Sequence, residues 1–228
     1  MASRAGGAKQ RLMTELRDLQ KEKWVNIDPD QANLFRWRFA LIVINPDSDF
    51  YGAYLRAEMT FTDDYPYSPP KFRFLTPVYH ANVYPDGQLC ISILHKPGND
   101  NMSGEEASER WSPLQGVESV LRSVLLLLDD PEIGSPANVD AGILYRDYRA
   151  KYQAKAKATV EESQKDMPDG FVMPATFDAP PPQKMEDDDA FWAESDEEFD
   201  FGGSDTGEDD EMEDFEEDKE DASEDEES

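Results

Sequence analysis

The sequence predicts an α+β domain: a helix, a run of short strands, an irregular segment and further helices, in that order along the chain. Two observations lead to this class. Apolar residues recur every three to four positions near residues 7–22 and again after residue 112, as in amphipathic helices. Between these segments they alternate with polar residues, as in antiparallel strands. A third observation concerns the end of the chain, where acidic residues dominate from residue 186 and predict a disordered tail.

The first helix is predicted near residues 7–22. Leu12, Leu16 and Leu19 share one face, and basic residues surround that face. The pattern is typical of an ordinary amphipathic surface helix, and a basic docking face is the alternative.

Three strands follow in the segments 34–44, 54–61 and 71–75, where apolar and charged residues alternate. Turn residues separate the strands, so we expect an antiparallel meander. The next feature is the sequence YPYSPP at 65–70, here called the proline connector. Its three prolines exclude a helix or a central strand, and one of its X-Pro bonds is a candidate for the cis form.

Residues 76–112 show little periodicity and contain both histidines and the single cysteine. Long irregular segments inside compact domains are usually functional. Helix signals return at 112–115, where Ser112, Pro113 and Gln115 form a capping-box pattern, and Ser135-Pro136 starts a further helix in the same way. That helix is expected to end near residue 149, and a Lys/Ala-rich helix continues to about residue 165. We therefore assign residues 1–165 to a catalytic domain, 166–185 to a Pro-rich linker and 186–228 to the tail.

The charge of the chain is concentrated in the tail. The 228 residues include 51 acidic and 22 basic ones, a net charge of −29, of which the tail alone carries −24. Such a balance argues against a nucleic-acid binder or a protein attracted to anionic membranes. The chain also lacks an apolar leader segment, and its lone cysteine fits a reducing compartment, so we expect a cytoplasmic and nuclear protein.

The candidate chemistry lies in the sequence HANVYPDGQLCI at 80–91. Cys90 offers a thiol, Asn82 an amide suited to binding an oxyanion, and Tyr84 a phenol. Two simpler interpretations stay open, because a lone cysteine is often a small buried apolar residue and His80 is expected to bond its own loop rather than the thiol. With no second Cys/His cluster and no Gly-rich phosphate loop, we expect neither a metal nor a cofactor.

Three motifs in the same order resemble the ubiquitin-conjugating enzymes: YPYSPPKFRF, HANVYPDGQLCISIL, and WSP at 111–113 before an apolar helix. The resemblance covers residues 7–165 and implies a fold with an N-terminal helix, a four-stranded antiparallel meander and C-terminal helices. It implies that Cys90 carries ubiquitin as a thioester and that Asn82 stabilises the oxyanion. Tyr84 and Ser135 match positions along the path of the incoming lysine. One departure is Ala81, where the family has proline.

Two further features resemble the cell-division-cycle class of this family, the partners of cullin-RING ligases. Sixteen residues separate Leu94 from Trp111, which is typical of the acidic loop insertion of that class, and the acidic tail is its second hallmark. The implied partners are ubiquitin, its activating enzyme, which is the protein that uses ATP, and a cullin-RING ligase that binds the tail in a basic groove. Ligase contacts are expected on the first helix and on Tyr67, Pro113 and Leu114. The acidic positions of the insertion, near 97–109, are Asp100, Glu105, Glu106 and Glu109.

Two other functions remain as alternatives. One is a ubiquitin-conjugating-like scaffold without activity, against which the pairing of Cys90 with Asn82 argues. The other is an acidic chaperone for basic proteins such as histones, which the tail alone suggests.

Overall fold

The computed structural model describes residues 4–29, 33–98 and 105–174 and confirms the α+β class. The strands are β1 (Val25–Pro29), β2 (Arg36–Ile42), β3 (Tyr54–Thr60) and β4 (Lys71–Phe74). The helices are α1 (Arg4–Leu19), α2 (Val117–Asp129), α3 (Val139–Asp147) and α4 (Arg149–Ser163). Two 3₁₀ turns, at Ser92–Leu94 and Gln164–Asp166, follow the cysteine and α4.

The sheet is the expected antiparallel meander, with its strands in chain order. Trp37, Met59 and Phe72 face one another across β2, β3 and β4 and are all buried on the inner face. The residue pattern had indicated only three strands, because β1 is too short and too polar to show a clear alternation. Apolar residues of α1, α2 and α4 complete a single core with this face.

The proline connector contains a cis peptide bond between Tyr65 and Pro66, as the sequence suggested. Tyr65 is buried between the rings of Phe61 and Trp111, at centroid distances of 5.1 and 5.9 Å. The Trp111 Nε1–H donates a hydrogen bond of 2.7 Å to the Pro66 carbonyl. The connector is thus fixed between the sheet and the segment that leads to α2.

The predicted start of the central helix at Ser112 is wrong, because α2 begins at Val117. One of the two side-chain bonds expected of the capping box forms, from the Ser112 N–H to Gln115 Oε1. Ser112 Oγ accepts the Leu114 N–H instead of the Gln115 N–H, and both bonds close a turn. The helix is capped instead by Glu15 of α1, whose carboxylate accepts the Val117 N–H at 2.7 Å. A partner distant in sequence therefore decides where this helix begins.

The helix predicted from Ser135-Pro136 also begins later, at Val139. The Asn138 side chain caps it by accepting the Ala141 N–H at 3.1 Å, while the Asn138 N–H donates to the Ala81 carbonyl at 2.8 Å. This second bond holds the start of α3 against the loop before the cysteine. The Ser135-Pro136 pair consequently lies in the approach to the helix.

The segment after α4 remains packed on the domain. Met167, Phe171 and Met173 lie against the core, and the ring of Phe171 meets the ring of Tyr54 edge to face at 5.2 Å. The predicted linker at 166–185 thus begins within a packed region, and residues 175–228, with the tail, lie outside the described residues. Within the described ranges, no helix has the length and apolarity that crossing a membrane requires.

Candidate active site

The cysteine lies at the end of a narrow hairpin formed by residues 82–90. The Tyr84 N–H donates to the Gln88 carbonyl and the Gly87 N–H donates to the Tyr84 carbonyl, both at 2.9 Å. The Cys90 N–H then donates to the Asn82 carbonyl, also at 2.9 Å. The hairpin therefore brings Asn82 and Cys90, eight residues apart in sequence, into direct backbone contact.

Gly87 allows this hairpin to lie against β4. Its φ angle is +85°, and a Cβ atom at this position would lie 2.2 Å from the Phe74 carbonyl oxygen. The Phe74 N–H donates to the Gly87 carbonyl at 2.8 Å, so the two backbones are already in contact. Any side chain at position 87 would push the hairpin away from the sheet.

Cys90 is a free, partly exposed thiol in a cleft of about 540 Å³. Burial raises the pKa of the Cys90 thiol, the nearby negative charge of Glu105 raises it further, and a hydrogen bond from Tyr84 opposes both effects. A raised pKa leaves the resting group mainly as a thiol at neutral pH.

Asn82 is 1% exposed, and both ends of its amide are bound to one residue of a different segment. Its Nδ2 donates to the Glu132 carbonyl at 2.8 Å, and its Oδ1 accepts the Glu132 N–H at 2.9 Å. The segment held in this way leads directly to Ser135. Sequence reasoning missed Glu132, because its backbone rather than its side chain makes these contacts.

His80 is fully buried and supports the same loop. Its Nδ1 accepts the Asn82 N–H at 3.0 Å, which places the ring proton on Nε2. Burial lowers the pKa of His80 to about 4, so the ring is neutral at physiological pH. The ring is therefore committed to its own loop and helps to orient Asn82.

Tyr84 and Ser135, the two predicted residues of the lysine path, are both exposed. Tyr84 borders two clefts: the one that contains Cys90 and a second, of about 490 Å³, that extends toward Asn138 and Lys155. Ser135 lies on the segment that Asn82 holds. The structure thus gathers Cys90, Asn82 and Tyr84 directly and connects Ser135 to them through Glu132.

The C-terminal part of the acidic insertion, which begins at Glu105 in the described residues, lies close to the cysteine. Glu105 contacts His95 Nδ1 at 2.8 Å and Arg110 Nη2 at 3.1 Å, and His95 lines the cleft of Cys90. Glu106 and Glu109 are exposed, and the Glu109 carboxylate accepts the Glu106 N–H at 3.3 Å. Asp100 lies outside the described residues.

The residues expected to contact a ligase lie on neighbouring turns. Tyr67 is 64% exposed and Leu114 is 93% exposed, while Pro113 is half-buried. Leu114 and Arg11 of α1 line the same groove. Exposed apolar side chains on turns fixed by buried anchors are typical of a docking surface.

Comparison with known proteins places this geometry in a family. The family model for the ubiquitin-conjugating enzyme matches residues 11–160. The chain is 43% identical over 218 residues to ubiquitin-conjugating enzyme E2-34 kDa of Saccharomyces cerevisiae, covering 90% of this chain and 73% of that protein. It is 44% identical over 162 residues to human ubiquitin-conjugating enzyme E2 G2, covering 70% of this chain and 98% of that protein. It is also 44% identical over 135 residues to ubiquitin-conjugating enzyme E2 7 of Arabidopsis thaliana, covering 59% of this chain and 81% of that protein.

The family model spans the helices, the sheet and the hairpin that carries the cysteine. The chain therefore belongs to the ubiquitin-conjugating enzymes, the transferases of the ubiquitin conjugation pathway that form a thioester intermediate.

Proposed function

We propose that Cys90 accepts ubiquitin from the activating enzyme and transfers it to a lysine of a substrate or of another ubiquitin. The observation that carries this proposal is the position of the thiol: it is the chain's one cysteine, it is partly exposed in a cleft, and its backbone is bonded to Asn82. A thiol that served only as a core filler would be fully buried.

The transfer involves two acyl exchanges. In the first, the Cys90 thiolate attacks the carbonyl carbon of ubiquitin's C-terminal thioester on the activating enzyme, whose thiolate leaves. In the second, a neutral lysine amine attacks the new thioester, an amide bond forms and the Cys90–carbonyl bond breaks. The proton that the amine nitrogen loses neutralises the departing sulfur, which regenerates the Cys90 thiol. Charging requires the thiolate, which the raised pKa of Cys90 makes a minor form of the free protein at neutral pH.

The second step develops negative charge on the carbonyl oxygen, and we propose that the Asn82 amide stabilises it. Loss of such a donor typically costs about 3 kcal/mol of transition-state stabilisation. In the resting geometry the Asn82 Nδ2 donates to the Glu132 carbonyl, so this role requires the amide to turn or to share its second N–H. Tyr84 and Ser135 would line the path of the lysine and lower its solvation, which favours the neutral amine.

We further propose that the partner is a cullin-RING ligase and that the protein acts in the cytoplasm and nucleus. The support is the acidic insertion near 97–109, whose Glu105 contacts His95 beside the cleft of Cys90, and the 43-residue acidic tail. A segment carrying −24 charges suits fast, salt-sensitive binding to a basic groove.

A single-turnover charging assay tests the central step. Wild-type protein with activating enzyme, ATP and ubiquitin is expected to form an adduct that a reducing agent removes. Cys90→Ser is expected to give an adduct that resists the reducing agent, because an ester replaces the thioester, and Cys90→Ala is expected to give none. A reducible adduct on Cys90→Ala would overturn the assignment.

A further inference from the structure

Glu15 of α1 joins three segments that are far apart in the chain. Its side chain is 13% exposed. Its carboxylate accepts the Tyr65 hydroxyl at 2.8 and 2.9 Å, accepts the Val117 N–H at 2.7 Å, and pairs with Arg11 one turn earlier on α1. One carboxylate thus connects α1, the proline connector and the first residue of α2.

The surroundings of Glu15 are adapted to this arrangement. Tyr65 is 2% exposed, and burial together with the neighbouring negative charge of Glu15 raises its pKa, so its hydroxyl remains a donor. A Cβ atom at Gly116 would lie 3.2 Å from the Glu15 carboxylate, so glycine leaves the carboxylate its space. The Arg11 guanidinium, besides pairing with Glu15, reaches the Gln115 carbonyl at 3.4 Å.

The three segments that Glu15 connects are those that carry the exposed candidate ligase contacts. Tyr67 lies two residues after Tyr65, and Leu114 lies in the turn that ends where α2 begins. A carboxylate that accepts several bonds from different segments fixes their relative position, because each charged hydrogen bond is short and directional.

We propose that Glu15 is a positioning residue that aligns α1, the proline connector and the start of α2, so that Tyr67 and Leu114 form one ligase-facing surface. This inference rests on the proposed ligase surface. Glu15 itself is largely covered, so it acts through the residues that it aligns rather than by touching the ligase. Its loss would therefore weaken the response to ligase while leaving the chemistry at Cys90 intact.

Three variants are tested: Glu15→Gln, Tyr65→Phe and the double variant that carries both changes. Asp49→Asn is the matched control, because Asp49 is also a largely covered carboxylate that joins two segments, pairing with Arg149 of α4 at 2.7 Å and accepting from Gln153 at 3.1 Å, outside the groove that Leu114 lines. Discharge of the ubiquitin thioester is measured as a function of the concentration of a reconstituted cullin-RING complex that accelerates wild-type discharge. Discharge to free lysine without ligase is measured in parallel.

Glu15→Gln and Tyr65→Phe are each expected to raise the half-saturating ligase concentration about five- to tenfold, as loss of a charge-assisted contact would. Ligase-free discharge and the maximal rate are expected to stay within about twofold of wild type, and Asp49→Asn is expected to match the wild type. Because both residues belong to one hydrogen-bond network, the double variant should raise the half-saturating ligase concentration no more than the single variant with the larger effect does. Tyr65→Phe keeps the buried ring and removes only the hydroxyl that Glu15 accepts. It therefore still tests the role of Glu15 if the Glu15→Gln variant folds poorly.

Leu114→Glu separates the two levels of the proposal. If it leaves the ligase response unchanged, the ligase surface itself is misassigned and the inference falls with it. If Leu114→Glu weakens the response while Glu15→Gln and Tyr65→Phe do not, the surface stands and the role of Glu15 is refuted. A parallel loss of ligase-free discharge in the Glu15 and Tyr65 variants would also refute positioning, since it would indicate general damage to the fold.

Discussion

Replacing Asn82 with alanine removes a side chain that holds two backbone groups of Glu132. The lost bonds are a donor contact of 2.8 Å and an acceptor contact of 2.9 Å. Because the Glu132 residue is exposed, water can replace both partners, and we expect a loss of about 1–2 kcal/mol in unfolding free energy. For a domain of this size that corresponds to a fall of about 2–8 °C in melting temperature.

The catalytic effect should be larger than the effect on stability. If the amide stabilises the oxyanion, discharge of the thioester to lysine falls by about 10²–10³-fold, while charging of Cys90 stays within about threefold. Single-turnover charging and pulse-chase discharge measure the two steps separately, and thermal unfolding measures the stability.

Asn45→Ala provides the matched control. The Asn45 amide also both donates and accepts: it donates to Asp129 at 2.8 Å and accepts the Asp47 N–H at 3.1 Å, at the C-terminal end of α2, three residues before Glu132. The Asn45→Ala variant should lower the melting temperature by a similar amount without slowing discharge of the thioester to lysine. The reasoning is refuted if Asn82→Ala slows charging and discharge equally, or if Asn45→Ala slows discharge as much as Asn82→Ala does.

Three further predictions concern the cleft and the tail. Glu105→Gln removes a negative charge that raises the pKa of the Cys90 thiol, so the pH profile of charging should shift to lower pH; a shift to higher pH or none would contradict this. Gly87→Ala should lower the free energy of unfolding by about 1–3 kcal/mol and slow charging of Cys90. The reason is that the new Cβ would overlap the Phe74 carbonyl and that a positive φ is unfavourable for alanine. A melting temperature equal to that of the wild type would show the reasoning to be wrong. Replacing residues 186–228 with a neutral linker should slow association with a cullin-RING ligase and flatten its salt dependence, and unchanged stopped-flow association rates would instead favour a purely solubilising tail.

The helix starts illustrate why local signals were insufficient. The pattern at 112–115 satisfies the rules for a capping box, and one of its two side-chain bonds, from the Ser112 N–H to Gln115 Oε1, forms as expected. Yet the helix begins only at Val117, where the Glu15 carboxylate accepts the first free N–H group. A local pattern specifies which bonds are possible, whereas packing decides which backbone groups already have a partner.

The same distinction applies to the candidate site. The motif around Cys90 identified the thiol, the amide and the phenol, because hairpin contacts between residues eight or fewer apart follow from local sequence. Glu132 could not be found in this way. Its backbone binds the Asn82 amide from a segment 50 residues further along the chain, and no spacing rule connects the two.

The sequence by itself determined the α+β class, the order of the elements, the alternating strands and the identity of the candidate cysteine, since these depend on periodicity and on a continuous motif. Only the tertiary structure decided where α2 and α3 begin, which residue binds the Asn82 amide and how Glu15 joins three segments. The partners in these bonds lie 50 and 102 residues apart along the chain. Such pairs are chosen by the packing of the whole core, because a polar group that is buried must take whichever partner the fold places beside it.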